Sequence, residues 1–281
     1  TVIPSTSAPT AASDGGTWRS FRFLEGARSR DTIEDPAKAF QVARAFGSFA
    51  AALRDLPEPP LATTIPGFHD LGGRFAAFEQ AVAADSHQRA ASVSSEIDRA
   101  AASFRNLERL LAECGYAELP RRIVHNDCKI NNVMLDDASG EGLCVIDLDT
   151  VMEGTILCDF GELVRTGTSR SPEDEVDLAS ISLEIDLFRG ASRGYLAGAA
   201  PLLSEAEVEI LPLAGQVMAL ENAIRFLTDH VSGDVYFRIH REGHNLDRFR
   251  AQLRLVELMS ERRSEMGAIV EEAWGEIRAR A

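Results

Sequence analysis

Residues 121–165 read RRIVHNDCKINNVMLDDASGEGLCVIDLDTVMEGTILCDFGELVR, and this stretch decides the expected fold. Its short apolar runs at 123–124, 133–135 and 143–146 are typical of strands. Between the last two runs, DDASGEG predicts a tight turn, because Asp, Ser and Gly favour turn conformations. We therefore expect a small hairpin, with 143–146 as a buried strand, that positions the polar residues around it.

Four polar side chains of this stretch supply the parts of a phosphoryl-transfer site. Asn132 precedes one strand of the hairpin and Asp147 ends the other, so an amide oxygen and a carboxylate should lie close together. Hard cations such as Mg²⁺ choose oxygen ligands of this kind and keep several waters. Asp127 is then free to orient a hydroxyl and accept its proton, and Lys129 can reach a transferring phosphoryl group.

Each of these residues alone has a plainer interpretation. An Asp and an Asn five residues apart in a loop usually form a turn, and a lone histidine after a strand, such as His125, usually belongs to the core. The combination of these residues is more informative than any one of them. The pattern H-x-D-x-K-x-x-N, followed by a hairpin and an apolar strand ending in I-D-L-D, favours phosphoryl transfer.

Amphipathic helices are predicted on both sides of this stretch. Asp35 is a good N-cap and Pro36 fits the first helical position, so a helix should run from 36 to about 53. Apolar residues at helical spacing predict further helices from near Gly73 to 84 and at about 93–113, 173–199, 204–230 and 245–279.

The first residues are predicted to be largely irregular. Residues 1–16 are small and polar and predict a loop, with Asp14-Gly15 suited to a hairpin turn. The following TWRSFRFLEG alternates between apolar and polar residues, so it predicts a strand that ends at Gly26.

Composition excludes several classes of protein. The chain has 29 basic and 44 acidic residues, a net charge of −15, which argues against a nucleic-acid partner. The sequence shows neither a run of about 18 apolar residues nor a signal peptide, so no membrane association is expected. The four cysteines, Cys114, Cys128, Cys144 and Cys158, are expected to be reduced thiols of a cytoplasmic protein.

The stretches IVHNDCKINNVML and LCVIDLDT resemble the catalytic loop and metal-binding strand of protein-kinase-like small-molecule kinases, the aminoglycoside phosphotransferase and choline kinase superfamily. Together with VMEGTILCDFGELVR and the later run ENAIRFLTDHVSGDVYFRIHREGHNLDRFRAQLRLVE, they look similar to the N-acetylhexosamine 1-kinase branch. The resemblance covers the chain from about Trp18 onward. It implies an α+β, protein-kinase-like fold with a mostly helical C-lobe and a small β-hairpin catalytic region, using ATP and Mg²⁺.

The same resemblance implies a role for each polar residue of the loop. Asp127 would be the catalytic base and His125 would brace the loop by hydrogen bonding. Lys129 would approach the γ-phosphate, and Asn132 and Asp147 would bind Mg²⁺.

Two further carboxylates are harder to place by resemblance. Asp149 could be a second metal-site carboxylate or a structural residue. Asp159-Phe160-Gly161 spells the metal motif of protein kinases, but it follows the metal strand instead of ending it. We therefore expect Asp159 to support the following helix, as an N-cap or through backbone donors.

The resemblance also divides the chain. Residues 1–26 would be a remnant of the N-lobe, in which Leu24, Glu25 and Gly26 form the hinge that binds adenine. Residues 27–281 would be the C-lobe, with its catalytic loop at 123–149. The sequence contains neither a glycine-rich loop nor a strand lysine before the hinge, so the N-lobe is expected to be largely missing and the natural protein to be longer.

The substrate would be a small molecule bound by the helical region. Carboxylates and arginines beside an aromatic face suit a sugar, which makes candidates of His69, Asp70, Arg225, Asp229, Tyr236 and Arg238. The best-supported activity is phosphorylation of an N-acetylhexosamine at its anomeric oxygen. Aminoglycoside, choline or homoserine kinases, and a non-catalytic binding module or inactive fragment, remain alternatives. The protein is expected to be a monomer or a homodimer.

Overall fold

The computed structural model describes residues 2–3, 11–13, 16–18, 20–21, 23–56 and 61–280. This part of the chain is mostly helical. Its eight α-helices are α1 Pro36–Ala52, α2 Leu71–Ala84, α3 Ser94–Glu113, α4 Ile156–Gly167, α5 Ile185–Ala199, α6 Glu205–Val231, α7 His244–Glu261 and α8 Arg263–Arg278.

The strands are short and form small antiparallel sheets. Strands β1 Val2–Ile3 and β4 Ser20–Phe21 pair with each other, as do β2 Ala11–Ser13 and β3 Gly16–Trp18. A three-stranded sheet contains β5 Ala27–Arg28, β7 Val133–Asp136 and β8 Gly142–Val145. The remaining pair is β6 Arg122–Val124 with β9 Met152–Gly154.

The three-stranded sheet places the two ends of the β7–β8 hairpin in different surroundings. At the turn end, Ala27 of β5 pairs with Asp136. At the open end, Val133 pairs with Val145, so the residues just outside this pair are Asn132 and Ile146, and Asp147 follows directly after Ile146. The expected hairpin is thereby confirmed.

Glycines allow α1 and α5 to pack backbone against backbone. A Cβ atom on Gly194 would lie 2.1 Å from the carbonyl oxygen of Phe40, and one on Gly190 would lie 2.3 Å from that of Pro36. On α1, a Cβ on Gly47 would lie 2.4 Å from the carbonyl oxygen of Tyr195. These distances are shorter than any side chain tolerates, so the contact depends on glycine at each position.

A similar contact joins α4 to α6, the helix that runs through the core. A Cβ on Gly161 would lie 2.4 Å from the carbonyl oxygen of Ala214. Most of α6 is buried, and its partners include both α4 and α7. The close approach fixes α4 in the interior, where it supports the loop that follows β6.

Most predicted elements are confirmed, with two differences in the helical region. Residues 173–184 are not helical. The side chain of Asp177 accepts the amide of Ala179 in a local turn, and the backbone carbonyl of Thr168 accepts the amide of Glu184. The predicted helix at 245–279 is two helices, separated at Arg262.

The strand and loop predictions also need correction. Strand β8 is the edge of its sheet, and Leu143 is 51% exposed, so the expectation of a buried strand was wrong. Short strands occupy part of the predicted loop at 1–16, because β1 pairs with β4 and β2 pairs with β3 in antiparallel register. The predicted turn at Asp14-Gly15 lies outside the described residues.

Replacing Gly194 by Ala should lower the free energy of unfolding by about 3 kcal/mol, because the new methyl group meets backbone atoms that cannot turn away. Gly275→Ala is the matched control, since a Cβ there has no neighbour within 4 Å. That change should stabilise α8 by about 0.5–1 kcal/mol. Urea unfolding of both variants measures the two effects, and equal effects would contradict the proposed contact.

Candidate active site

A buried carboxylate positions the central loop, which we define as residues 125–132 between β6 and β7. Asp159 of α4 is fully buried, and its two oxygens accept the amides of His125 at 3.0 Å and Asn126 at 2.7 Å. Burial raises the pKa of Asp159, and the two amide donations oppose that rise. Of the two expected roles of Asp159, the helix cap was wrong, because the N-cap of α4 is Thr155. The role through backbone donors is confirmed, and these donors lie in the preceding loop.

His125 braces the central loop against the end of β8. Its Nε2 lies 2.9 Å from the carbonyl oxygen of Ile146, which can only accept, so Nε2 carries the proton. Its Nδ1 then accepts the amide of Asp127 at 3.3 Å. The ring also packs edge-on against Phe46 and Phe49, with centroids 5.4 and 5.6 Å away. The imidazole therefore joins the loop, the hairpin and α1.

Asp127, Lys129 and Asn132 form one connected group. The Asp127 carboxylate lies 2.8 Å from the Lys129 ammonium and accepts the side-chain amide of Asn132 at 3.2 Å. The same Asn132 nitrogen donates to the backbone carbonyl of Asp127 at 2.9 Å. Because the side-chain nitrogen of Asn132 donates to Asp127, the side-chain oxygen of Asn132 faces away from Asp127.

Asp147 follows the open end of the hairpin, one residue beyond the neighbour of Asn132. The amide of Ile146 donates to the carbonyl of Asn132 at 2.9 Å, which fixes the two segments side by side. Asp147 itself is exposed, with φ 60° and ψ 63°, a left-handed conformation that Asp tolerates better than most residues. Asp149, two residues further on, is exposed, and its carbonyl accepts the hydroxyl of Thr64.

This donor set suits a magnesium ion that is also bound to a nucleotide. One amide oxygen and one or two carboxylates leave most coordination positions to water and phosphate, as Mg²⁺ prefers. In the described part of the chain, no group of three or more His, Cys, Asp or Glu side chains is arranged to hold a metal. The residues present therefore fit a shared protein–phosphate site better than an all-protein metal cage.

The predicted hinge is connected to the turn of the hairpin. Leu24, Glu25 and Gly26 directly precede β5, and the carbonyl of Gly26 accepts the amide of Asp137 at 2.8 Å. Strand β5 pairs with β7. The hinge and the pair Asn132 and Asp147 therefore lie at opposite ends of the same small sheet.

On the other side of Asp127 lies a cavity of about 420 Å³, which we call the central cavity. Five of the predicted site residues line it: His69, Asp127, Lys129, Arg225 and Arg238. The rest of its lining was not predicted and consists of Phe68, Thr150, Glu162, Arg165, Glu173, Asn222, Phe226, Phe237, His240 and Arg248.

Three predicted substrate residues are not brought to this cavity. Asp70 caps α2 and accepts the amide of Gly73 at 2.9 Å. Asp229 is buried and accepts the backbone amides of residues 235–237, between 2.8 and 2.9 Å. Tyr236 is 74% exposed and contacts the ring of Phe237. The two carboxylates are already occupied by backbone donors, so they shape the protein around the cavity.

A buried ion pair lies in the wall of the cavity. Arg165 donates through Nε and an Nη atom to the two oxygens of Glu162, at 2.9 and 2.6 Å. Its other Nη atom donates to Glu173 at 2.8 Å. Burial raises the pKa of Glu162, but the charge of Arg165 outweighs this, and the net pKa is lowered. Two opposite charges three residues apart in the apolar segment FGELVR were the sequence signal for this pair.

His69 connects α6 to the central loop. Its Nδ1 lies 3.1 Å from the Glu221 carboxylate and its Nε2 lies 2.7 Å from the carbonyl of Asn126. Neither partner can donate when Glu221 is ionised, so both ring nitrogens must carry protons. Burial lowers the pKa of His69, but the hydrogen bond and charge of Glu221 outweigh it, and the net pKa is raised. This arrangement favours the protonated, cationic form of His69 beside the loop.

The family of this chain follows from residues 5–193, which match the family model described as "APH: Phosphotransferase enzyme family". The chain belongs to this family and is a phosphotransferase. This confirms the resemblance to the aminoglycoside phosphotransferase superfamily; the N-acetylhexosamine 1-kinase branch stays a prediction.

A solved structure shows the same fold. An aminoglycoside phosphotransferase from Alicyclobacillus acidocaldarius is similar to this chain with a TM-score of 0.62 and 14% sequence identity. The alignment covers 98% of this chain and 77% of that one. The expected α+β kinase-like fold with a helical lobe is therefore confirmed. Among the described residues, the structure has no helix with the length and apolar character needed to cross a bilayer.

The stabilisation provided by His69 should depend on pH. Since its pKa is raised above 6.5, its contribution is complete below that pH and is lost as the pH rises through the folded-state value. His69→Gln should therefore cost about 3 kcal/mol of unfolding free energy near pH 6, because Glu221 is left buried without its partner.

The difference between wild type and His69→Gln should become smaller at about pH 9. Urea unfolding at both pH values measures it, with the exposed His87→Gln as the control. A difference that is the same at both values would contradict the assignment of His69 as a cation.

Proposed function

We propose that this protein transfers the γ-phosphoryl group of ATP to a hydroxyl group of a small molecule, in a Mg²⁺-dependent reaction. The observation that carries the proposal is the position of Asp127. Asp127 lines the central cavity, and its carboxylate is also hydrogen-bonded to Asn132, whose carbonyl accepts the amide of Ile146, the residue before Asp147. A carboxylate between an acceptor cavity and a candidate metal site is where a base for phosphoryl transfer belongs.

Each residue of the group has a defined task in this proposal. Asp127 orients the acceptor hydroxyl and takes its proton while a bond forms between the acceptor oxygen and the γ-phosphorus. The bond from phosphorus to the bridging oxygen breaks and ADP leaves. Lys129, 2.8 Å from Asp127, is close enough to offset charge on the transferring group. His125 and Asp159 hold the backbone from which both side chains project.

Asn132 and Asp147 would hold Mg²⁺, and Asp149 could add a further carboxylate. The bound ion would neutralise charge on the phosphates. The nucleotide would extend along the outer face of the β7–β8 hairpin, with its adenine against the backbone of Leu24–Gly26. Leu143 is 51% exposed on this hairpin and offers an apolar surface beside that path.

The acceptor is not specified by the family. N-acetylhexosamine, phosphorylated at its anomeric oxygen, is the acceptor named by the sequence resemblance, and aminoglycosides, choline and homoserine are the alternatives. The four cysteines are free, which suits a reducing compartment such as the cytoplasm. A non-catalytic binding module is the contrasting possibility, and the paired base and metal-site residues disfavour it.

Asp127→Asn should reduce kcat by about 10²- to 10⁴-fold, because the amide cannot accept the hydroxyl proton. The side chain keeps its size, so the melting temperature should change little. Steady-state ADP release by the full-length protein measures the effect, and the exposed Asp55→Asn is the matched control. Wild-type turnover in the Asp127 variant would exclude this residue as the base.

Asp147→Asn should raise the Mg²⁺ concentration needed for half-maximal activity by about tenfold or more, since one anionic ligand is lost. A magnesium titration at constant ATP measures the shift. Asp137→Asn, at the other end of the hairpin and paired with Arg28, is the control. An unchanged magnesium requirement would show that Asp147 is not a ligand.

A further inference from the structure

We propose that the acceptor carries an anionic group, a carboxylate or a phosphate, and that Arg225, Arg238 and Arg248 bind it in the central cavity. This inference rests on the proposed function, because it names the chemical class of the molecule that Asp127 would activate.

The charge of the cavity is opposite to that of the chain. The whole protein has 44 acidic and 29 basic residues. Besides His69, the residues lining the cavity include five basic side chains, Lys129, Arg165, Arg225, Arg238 and Arg248, and three acidic ones, Asp127, Glu162 and Glu173. A local excess of positive charge in a strongly acidic protein indicates a site for an anion.

The acidic side chains of the cavity already have cationic partners. Both oxygens of Glu162 are bound by Arg165, which also binds Glu173. Asp127 is paired with Lys129. A cationic substrate would therefore have to compete with a bound arginine or lysine for every carboxylate that lines the cavity.

The three remaining arginines differ from most others in the protein. Most arginines of the described residues lie within 4.0 Å of a carboxylate. Within that same part of the chain, Arg225, Arg238 and Arg248 have no such ion pair, although they come together at one cavity. Three unpaired guanidinium groups repel one another, so an anion between them would be strongly favoured.

Two of these guanidinium groups are held by stacking. Arg225 lies over the ring of Phe237, 5.3 Å from its centroid, and donates to Asn222. Arg248 lies over the ring of Phe226 at 5.4 Å. Stacking fixes the plane of a guanidinium and leaves its edge, which carries the N–H donors, available for a planar or tetrahedral anion.

The loop between α6 and α7 is also fixed in advance. Asp229 accepts the amides of residues 235–237, and Asn245 donates to the same carboxylate at 2.8 Å. Arg248 donates to the carbonyl of Arg238 at 3.2 Å, which joins the loop to α7. The arginines therefore need little reorganisation on binding, so less affinity is lost to ordering them.

The location assigns these arginines to the acceptor and not to the nucleotide. Asn132, Asp147 and Asp149 do not line the central cavity in the described structure, whereas Asp127 does. The phosphates of a nucleotide bound by the first three residues would lie on the opposite side of Asp127 from α6 and α7. An anion in the cavity is then the non-reacting part of the acceptor.

The test compares acceptors that are matched except for one anionic group, using the full-length protein with ATP and Mg²⁺. N-acetylglucosamine is paired with its 6-phosphate and glucose with glucuronate, so that the phosphate and carboxylate arms are separate. Choline and kanamycin represent cations. We expect kcat/KM to be about tenfold or more higher for the anionic member of at least one pair. Faster turnover of a neutral or cationic acceptor would overturn the inference and leave the proposed kinase function intact.

Variants then connect the preference to the arginines. Arg225→Gln and Arg248→Gln should raise KM for the anionic acceptor about tenfold or more while the KM for ATP changes little. Arg238→Gln, an exposed change that cannot disturb the core, should act in the same direction. Arg105→Gln, an exposed arginine of α3, is the matched control. A rise in the KM for ATP instead would assign these arginines to the nucleotide and contradict the inference.

Binding provides a readout that does not depend on turnover. Calorimetry with glucuronate or N-acetylglucosamine 6-phosphate should detect binding to Asp127→Asn that is weakened by the arginine variants and by salt. If no acceptor is phosphorylated but this binding is found, the proposed function fails while the anion site stands. If neither anion binds, the anion site itself is disproved.

Discussion

The carboxylate of Asp159 accepts the amides of His125 and Asn126 from inside the core, and the geometry of the site depends on this contact. Burying a carboxylate is costly unless its oxygens are hydrogen-bonded, so the loop and α4 stabilise each other. The backbone at Asn126 has φ 63°, and β9 approaches so closely that a Cβ on Gly154 would lie 2.7 Å from the Asn126 side chain, which would have to shift. The positions of the side chains further along the central loop therefore depend on these backbone contacts.

Asp127 divides the functional surface into two regions with different requirements. On one side, Asn132 and Asp147 offer oxygen atoms at the open end of a hairpin, where a cation and phosphates can be shared with solvent. On the other side, stacked arginines and aromatic rings surround a cavity. The protein thus combines a negative net charge with a positively charged central cavity. The two differ because the net charge is summed over all residues, whereas the charge of the cavity depends on the few residues that line it.

The sequence predicts the parts of this protein that depend on neighbours along the chain. The spacing from His125 to Asn132, the hairpin and the Asp35-Pro36 helix start are local, and the structure contains the hairpin and helix where they were expected. The cavity wall is different, because Arg248 and Phe226 meet only through the packing of α6 and α7. Asp229 looked like a substrate ligand because its partners are backbone amides, which no side-chain pattern reveals.

The hydrogen bonds between Asp229 and the backbone of the following loop have a consequence for how this enzyme family can diversify. Its carboxylate holds main-chain amides of residues 235–237, and every amino acid except proline provides such an amide. Side chains in this loop can therefore be exchanged during evolution while the loop keeps its path. The proposed acceptor-binding surface is therefore separable from the central loop, which Asp159 holds independently. Descendants of one ancestral phosphotransferase could in this way acquire new acceptors without rebuilding the chemistry.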